Sequence, residues 1–155
     1  MGYSLPASIG CALASHKTVY SLNGDGGIQM NIQELQVIAR ENLPIKIIIF
    51  NNYALGMIRH FQEMYFDNNY FQTVKKGGYS VPDFEKIAYA YGLRYTCIEK
   101  EKDLEREYFE GNQPTIIEVK IKENTYVFPK LEFGKPNQDQ EPLLDRELFR
   151  YLMEL

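Results

Sequence analysis

One carboxylate among three glycines, and a pair of asparagines a helix and a strand further on, are the residues here whose types and spacing suit chemistry. The first group is Gly24-Asp25-Gly26-Gly27, inside the stretch SLNGDGGIQMN. The second is Asn51-Asn52, directly after the apolar run Ile47-Ile48-Ile49-Phe50. Glycine lets backbone N–H groups come close to an anion such as a phosphate. Asp25 and Asn52 offer hard oxygen donors of the kind that suits Mg2+. A cation held by them would neutralise a phosphate lying on the glycine backbone. The pattern points to a metal-bound phosphate ligand. Taken without the asparagines, the Gly-Asp-Gly turn reads equally well as a plain structural turn.

Other glycine motifs fit worse. No Gly-Lys-Ser/Thr follows, so a Walker loop is excluded. A dinucleotide-binding G-x-G-x-x-G fails because Gln29 stands where the third glycine belongs. An EF-hand would use Asn23, Asp25 and Glu34, but Ile28 occupies the position that needs glycine.

The elements around these residues alternate. Small and apolar residues at 5–14 predict a helix, and residues 18–22 a short strand. Ile28, Ile32, Leu35, Ile38 and Ala39 recur at helical spacing. Asn31 followed by Glu34 resembles a capping box, which predicts that this helix starts near Asn31; Asn42 and Pro44 end it. Residues 45–50 form a continuous apolar run, as in a strand buried on both faces. Residues 82–91 predict a helix, 94–98 a strand, 103–109 a helix and 114–121 a strand. Residues 124–141 are polar, with prolines at 129 and 136 and a third at 142, and residues 143–155 predict a short amphipathic helix. The expected fold is α/β: a parallel sheet flanked by helices over residues 1–123, then a tail over 124–155. In such a sheet the glycine turn leaves the C-terminal end of a buried strand, where parallel α/β sheets bind ligands.

Composition excludes several classes. The net charge is −4 with no dense Lys/Arg cluster, so no nucleic-acid partner is expected. No apolar run approaches the ~20 residues of a membrane span. Residues 1–4 lack the basic start of a secretory leader, and Cys11 and Cys97 make no metal spacing, so a cytoplasmic chain with two reduced thiols is expected.

Gly24-Asp25-Gly26, then twenty-four residues (27–50), then Asn51-Asn52 resembles the cofactor motif of thiamine diphosphate-dependent enzymes. Three stretches are similar to the acetolactate synthase-like branch: MGYSLPASIGCALA, MNIQELQVIARENLPIKIIIFNN and NNYALGMIRHFQEMYF, the last resembling the mobile segment after the motif. The resemblance runs from Met1 to about residue 121.

The resemblance implies thiamine diphosphate and Mg2+ as cofactors. Asp25 and Asn52 would bind Mg2+ with the backbone carbonyl of Ala54 as a third ligand. Gly24, Gly26, Gly27 and Gly56 would lie at the cofactor, with Gly26 and Gly27 donating N–H groups to the diphosphate. Met1 matches the apolar residue that props the cofactor in its bent shape, and Leu55, Met57 and Ile58 would wall its thiazolium side. The branch has a tryptophan where this chain has Phe61; Phe61 and His60 are candidate substrate contacts.

The implied activity is that of a 2-keto acid decarboxylase/carboligase, an enzyme that decarboxylates pyruvate and transfers the acyl unit to a second carbonyl compound. Family enzymes carry the activating glutamate on a pyrimidine-binding domain, and FAD, where used, in a middle domain. By this resemblance the chain lacks both, together with the first strand and helix of its own domain. It is expected to be a fragment, inactive alone and to form a homo-oligomer. The aromatic cluster Tyr65, Phe66, Tyr70 and Phe71 would pack against a partner. Two other readings stay open: a non-catalytic relic of the fold, and a different 2-keto acid decarboxylase.

Overall fold

The computed structural model describes residues 1–127, 132–136, 138–140 and 143–155. Pro129, Glu141 and Pro142, within or beside the polar stretch, lie outside the described residues. The chain forms two compact units, Met1–Thr125 and Tyr126–Leu155.

The first unit alternates helices and parallel strands. Helix α1 (Ser4–Ser15) turns Leu5, Ser8, Ile9 and Ala12 inward at helical spacing and stops at His16, whose positive φ of 53° lets its N–H close on the Ala12 carbonyl. Strand β1 (Val19–Gly24) leads directly into the short helix α2 (Asp25–Gln29). After a 3-10 turn, Ile32–Glu34, helix α3 (Leu35–Arg40) follows, then strand β2 (Ile45–Asn51). Helix α4 (Gly56–Tyr65) comes next, then α5 (Phe84–Ala90), β3 (Arg94–Ile98) and β4 (Thr115–Lys120).

The four strands stand in the order β1-β2-β4-β3. Every pair is parallel. Alternation decides which residues face which side. Ile45, Ile47, Ile49 and Ile116 form one core with Leu5 and Ile9 of α1, Ile28 of α2, Leu35 and Ile38 of α3, and Phe84 and Ala88 of α5. The other face holds Ile48, Ile98 and Ile117, packed against Tyr108 and Phe109. Its β1 side stays open: Tyr20, Leu22 and Phe50 are 51%, 58% and 40% exposed. Strand β2 is otherwise buried on both faces, as its apolar run predicts.

Three sequence expectations are corrected. The single helix expected from near Asn31 is instead three pieces: α2 from Asp25, the 3-10 turn from Ile32 and α3 from Leu35. Asn31 makes no side-chain cap. It donates instead to the Gly2 carbonyl at 2.6 Å, which ties the start of the chain to the end of α2. The helix expected at 103–109 is two 3-10 turns, Glu101–Asp103 and Arg106–Phe109. There the Asp103 carboxylate accepts from the N–H groups of Glu99 and Lys100, closing the first turn locally. Helix α4 lies in the segment that sequence reading leaves without secondary structure.

In the second unit, helix α6 (Arg146–Met153) is capped by Asp145, whose carboxylate accepts from the Glu147 and Leu148 N–H groups. Leu148, Tyr151, Leu152 and Met153 of this helix are exposed.

Candidate functional site

Register brings the two motifs together. Gly24 of β1 pairs with Phe50 of β2. Asp25 and Asn51-Asn52 therefore leave neighbouring parallel strands at the same edge of the sheet. This is the C-terminal edge, as the sequence predicts.

Asp25 is the centre of the cluster and is 2% exposed. Its Oδ1 accepts from the Gly26 N–H at 2.6 Å and from the Tyr79 hydroxyl at 3.3 Å. Its Oδ2 is buried without a hydrogen-bond partner. Burial pushes the carboxyl above its ordinary pKa, while the N–H of Gly26, the Tyr79 hydroxyl and the N–H groups of Ala54 and Tyr53 pull it back. The Tyr79 hydroxyl is itself pushed up, by burial first and then by the Asp25 charge. A buried carboxylate oxygen left without a donor is costly unless a cation takes it.

The second motif carries two more oxygens on the turn that leaves the neighbouring strand. Asn52 is buried, and its Oδ1 accepts from the Ala54 N–H at 3.3 Å. The Ala54 carbonyl accepts from the Gly56 N–H at 3.0 Å. This keeps one of its two lone pairs busy. Two contacts fasten the loop: Ala54 forms an antiparallel bridge with Val74, and the Leu55 N–H donates to the Thr73 carbonyl at 2.9 Å. Among the described residues no three of His, Cys, Asp or Glu gather at one point. A cation here would rest on one carboxylate, one amide and one carbonyl, with further oxygens from its ligand. That donor set suits Mg2+, which keeps waters and substrate phosphates in its shell. The orphaned Oδ2 is an acceptor that such an ion would fill.

The glycines differ from one another. A Cβ on Gly26 would stand 2.5 Å from the Leu55 side chain and 3.2 Å from the Tyr79 hydroxyl, so any side chain here requires the tip of Leu55 to move. A Cβ on Gly24 or Gly27 would meet nothing within 4 Å. Open space therefore faces the turn at both positions. On Gly56 a Cβ would come within 3.2 Å of the Asn52 amide.

The other expected site residues are spread more widely. Leu55 is half-buried against Gly26. Met57 and Ile58, in the first turn of α4, are 41% and 42% exposed. His60 is buried on the same helix, and Phe61 stacks on Tyr65 with ring centroids 5.9 Å apart. Met1 is exposed, while its neighbour Gly2 packs on Met30 and Asn31 after α2.

Sequence reading missed Tyr79, which lies 54 residues from Asp25 in a segment with no motif. It also passed over Asn51 as a residue in its own right, and over Glu118. The signal for Glu118 was present: a lone carboxylate inside the apolar strand Thr115–Lys120.

Comparisons with known proteins agree with this geometry. Residues 1–119 match the family model "Thiamine pyrophosphate enzyme, C-terminal TPP binding domain". The chain is 36% identical over 143 residues to an acetolactate synthase of Arthrospira platensis, covering 90% of this chain and 24% of that protein. It is 33% identical over 143 residues to the acetolactate synthase isozyme 2 large subunit of Escherichia coli (strain K12), covering 90% of this chain and 26% of that protein. The chain thus spans about a quarter of the length of these relatives. Among solved structures it superposes on a thiamine diphosphate-dependent 4-hydroxybenzoylformate decarboxylase of Rhodococcus jostii RHA1 with a TM-score of 0.67 and 32% identity, over 79% of this chain and 23% of that one. A benzoylformate decarboxylase of Polynucleobacter necessarius shares the fold, with a TM-score of 0.68 over 79% of this chain and 24% of that one, at 24% identity. The glycine turn, the paired asparagines and the parallel sheet that sets them side by side thus accompany a match over most of the chain, and the chain belongs to the family of C-terminal TPP binding domains of thiamine pyrophosphate enzymes.

Proposed function

We propose that this chain is the cofactor-binding part of a thiamine diphosphate- and Mg2+-dependent 2-keto acid decarboxylase/carboligase of acetolactate synthase-like type. The observation that carries the proposal is the buried, unpartnered Asp25 Oδ2 at the sheet edge it shares with Asn52. Asp25, Asn52 and the Ala54 carbonyl would hold Mg2+. Gly24, Gly26, Gly27 and Gly56 would lie along the diphosphate. Gly26 already spends its N–H on Asp25 Oδ1, so Gly27 has the larger part in that contact. Leu55, Met57, Ile58 and Met1 would bound the cofactor's organic part, and His60 and Phe61 the substrate side. The bound cofactor supplies an electron sink for the carbanion left when a 2-keto acid loses CO2.

The same proposal assigns the activating glutamate to a pyrimidine-binding domain on a partner or on another part of the protein. FAD, where used, would sit in a further domain. A homo-oligomer and a cytoplasmic location complete it. No helix among the described residues is long and apolar enough to cross a membrane.

A second reading has a specific observation behind it. The likeness at 32% identity to a 4-hydroxybenzoylformate decarboxylase supports a 2-keto acid decarboxylase of another substrate class.

Titration calorimetry tests the proposal. Thiamine diphosphate should bind in the presence of Mg2+, lose that binding in EDTA, and lose it in Asp25→Ala. Equal affinity with and without Mg2+ overturns it. No binding under any condition favours a non-catalytic relic of the fold. Turnover assays of the assembled enzyme with pyruvate and with an aryl 2-keto acid separate the two substrate classes.

A further inference from the structure

Strand β4 carries one carboxylate, and it points into the helix-covered core. Glu118 is 5% exposed and pairs across the sheet with Ile49 of β2 and Cys97 of β3. A carboxylate there is costly unless both its oxygens are occupied. Both are: Oε1 accepts from the Asn51 side-chain amide at 2.6 Å, and Oε2 from the Tyr95 hydroxyl at 2.5 Å. The Tyr95 hydroxyl is held protonated, pushed up by burial first and then by its bond to Glu118. Three neighbouring strands, β2, β4 and β3, are thus tied at one point near the edge that carries the site.

This tie decides which way Asn51 faces. With its NH2 group committed to Glu118, the Asn51 carbonyl oxygen must face the other way. It accepts there from the Tyr53 N–H at 3.0 Å. The opposite orientation would set donor against donor at Tyr53. Tyr53 has a positive φ of 56°, a conformation that costs energy in any residue but glycine. The bond from Asn51 offsets that cost and holds the turn. On the same turn stand Asn52 and Ala54, and the Tyr53 and Ala54 N–H groups favour the charged form of Asp25.

We propose that Glu118 and Tyr95 are positioning residues of the cation site: acting through Asn51, they hold the left-handed turn at Tyr53 that presents Asn52 and the Ala54 carbonyl beside Asp25. The inference rests on the reading of this edge as the Mg2+–thiamine diphosphate site. Neither residue touches the ion or the cofactor. Their effect is on the affinity with which both are held.

The test is calorimetry of thiamine diphosphate with Mg2+ on the full chain, with helix content and melting followed in parallel. Glu118→Gln keeps an acceptor for Asn51 and offers its amide to the Tyr95 oxygen. Its affinity should stay within about threefold of wild type. Glu118→Leu removes the acceptor, and its affinity should fall by about tenfold or more, the usual scale for residues behind metal ligands. Tyr95→Phe deletes only a hydroxyl and keeps the test open if Glu118→Leu does not fold. It should lose about threefold at unchanged helix content. An equal loss in Glu118→Gln and Glu118→Leu would mean that charge, not orientation, matters, and overturns the proposal. So does unchanged affinity in a folded Glu118→Leu, or in Tyr95→Phe. These results leave the site reading intact, because wild type still binds. A wild-type chain that takes up no thiamine diphosphate overturns that reading and the positioning role with it.

Discussion

The Tyr79 hydroxyl lies 3.3 Å from Oδ1 of Asp25, while Oδ2 of the same carboxylate is buried with no partner. One oxygen is held by the protein and the other has no donor. Asp25→Asn should therefore separate stability from binding. Loss of the buried charge should raise the stability of the cation-free chain at neutral pH by about 1 kcal/mol. The same change should remove Mg2+-dependent uptake of thiamine diphosphate. Asn52→Ala, which loses a neutral ligand, should weaken uptake less. Urea unfolding and calorimetry on each variant check this. A cation-free Asp25→Asn chain clearly less stable than wild type would contradict it.

Two neighbouring glycines should respond differently to the same change. Gly26→Ala drives a methyl group against Leu55 and should cost about 1–3 kcal/mol of folding stability. Gly27→Ala meets no atom within 4 Å and should fold as wild type. If the diphosphate lies on this turn, Gly27→Ala should still bind thiamine diphosphate more weakly. Thermal melting together with calorimetry distinguishes the two effects.

The chain by itself should consume no pyruvate or other 2-keto acid, even when saturated with Mg2+ and thiamine diphosphate. In the proposed arrangement the carboxylate that activates the aminopyrimidine belongs to another domain. Steady turnover by the pure chain would contradict this, and recovery of turnover on adding a pyrimidine-binding domain would support it.

Association should accompany assembly of the site. Tyr65, Phe66 and Phe71, at and beyond the end of α4, are 47%, 62% and 72% exposed. Apolar surface costs on the order of 25 cal/mol per Å² in water, and clusters of it mark contact surfaces. Sedimentation velocity at micromolar concentration should show a dimer or larger species. Replacing Phe66 and Phe71 together by Ser should shift it toward monomer, whereas an unchanged profile would place the contact elsewhere.

Helix α5 supplies a pH-dependent contribution. The Asp83 carboxylate accepts from the Lys86 N–H at 3.1 Å and pairs with the Lys86 ammonium at 3.0 Å. These hold its carboxyl below the ordinary value of 3.8. Between the lowered folded value and 3.8 the unfolded chain binds more protons, so stability rises with pH there. The contribution is complete above 3.8 and disappears as pH falls through the folded value. Asp83→Asn should keep the cap and lose this dependence. Urea midpoints between pH 2.5 and 6, compared with wild type, would show it; parallel curves would exclude it.

Much of this protein was legible in its residues alone. The apolar run of β2 reads directly as a strand, because a strand buried on both faces needs no alternation. The glycine turn and paired asparagines read as a ligand site because their separation is one helix and one strand, and successive parallel strands end at the same edge. The capping box at Asn31 reads wrongly because local pattern competes with a bond that no window contains; at 103–109 the chain turns within a few residues instead of running on as a helix. Asn31 is drawn to Gly2, 29 residues away, and the Asp103 carboxylate folds the chain back on Glu99 and Lys100. Residue types also proposed the carboxylate and the amide as ligands, but not what holds them. Tyr79 reaches Asp25 across 54 residues, and Glu118 reaches Asn51 across 67. Periodicity reports which face a residue occupies and is silent about which distant residue shares it. Strand order decides that: by setting β4 between β2 and β3, the fold places one buried carboxylate where it meets both Asn51 and Tyr95.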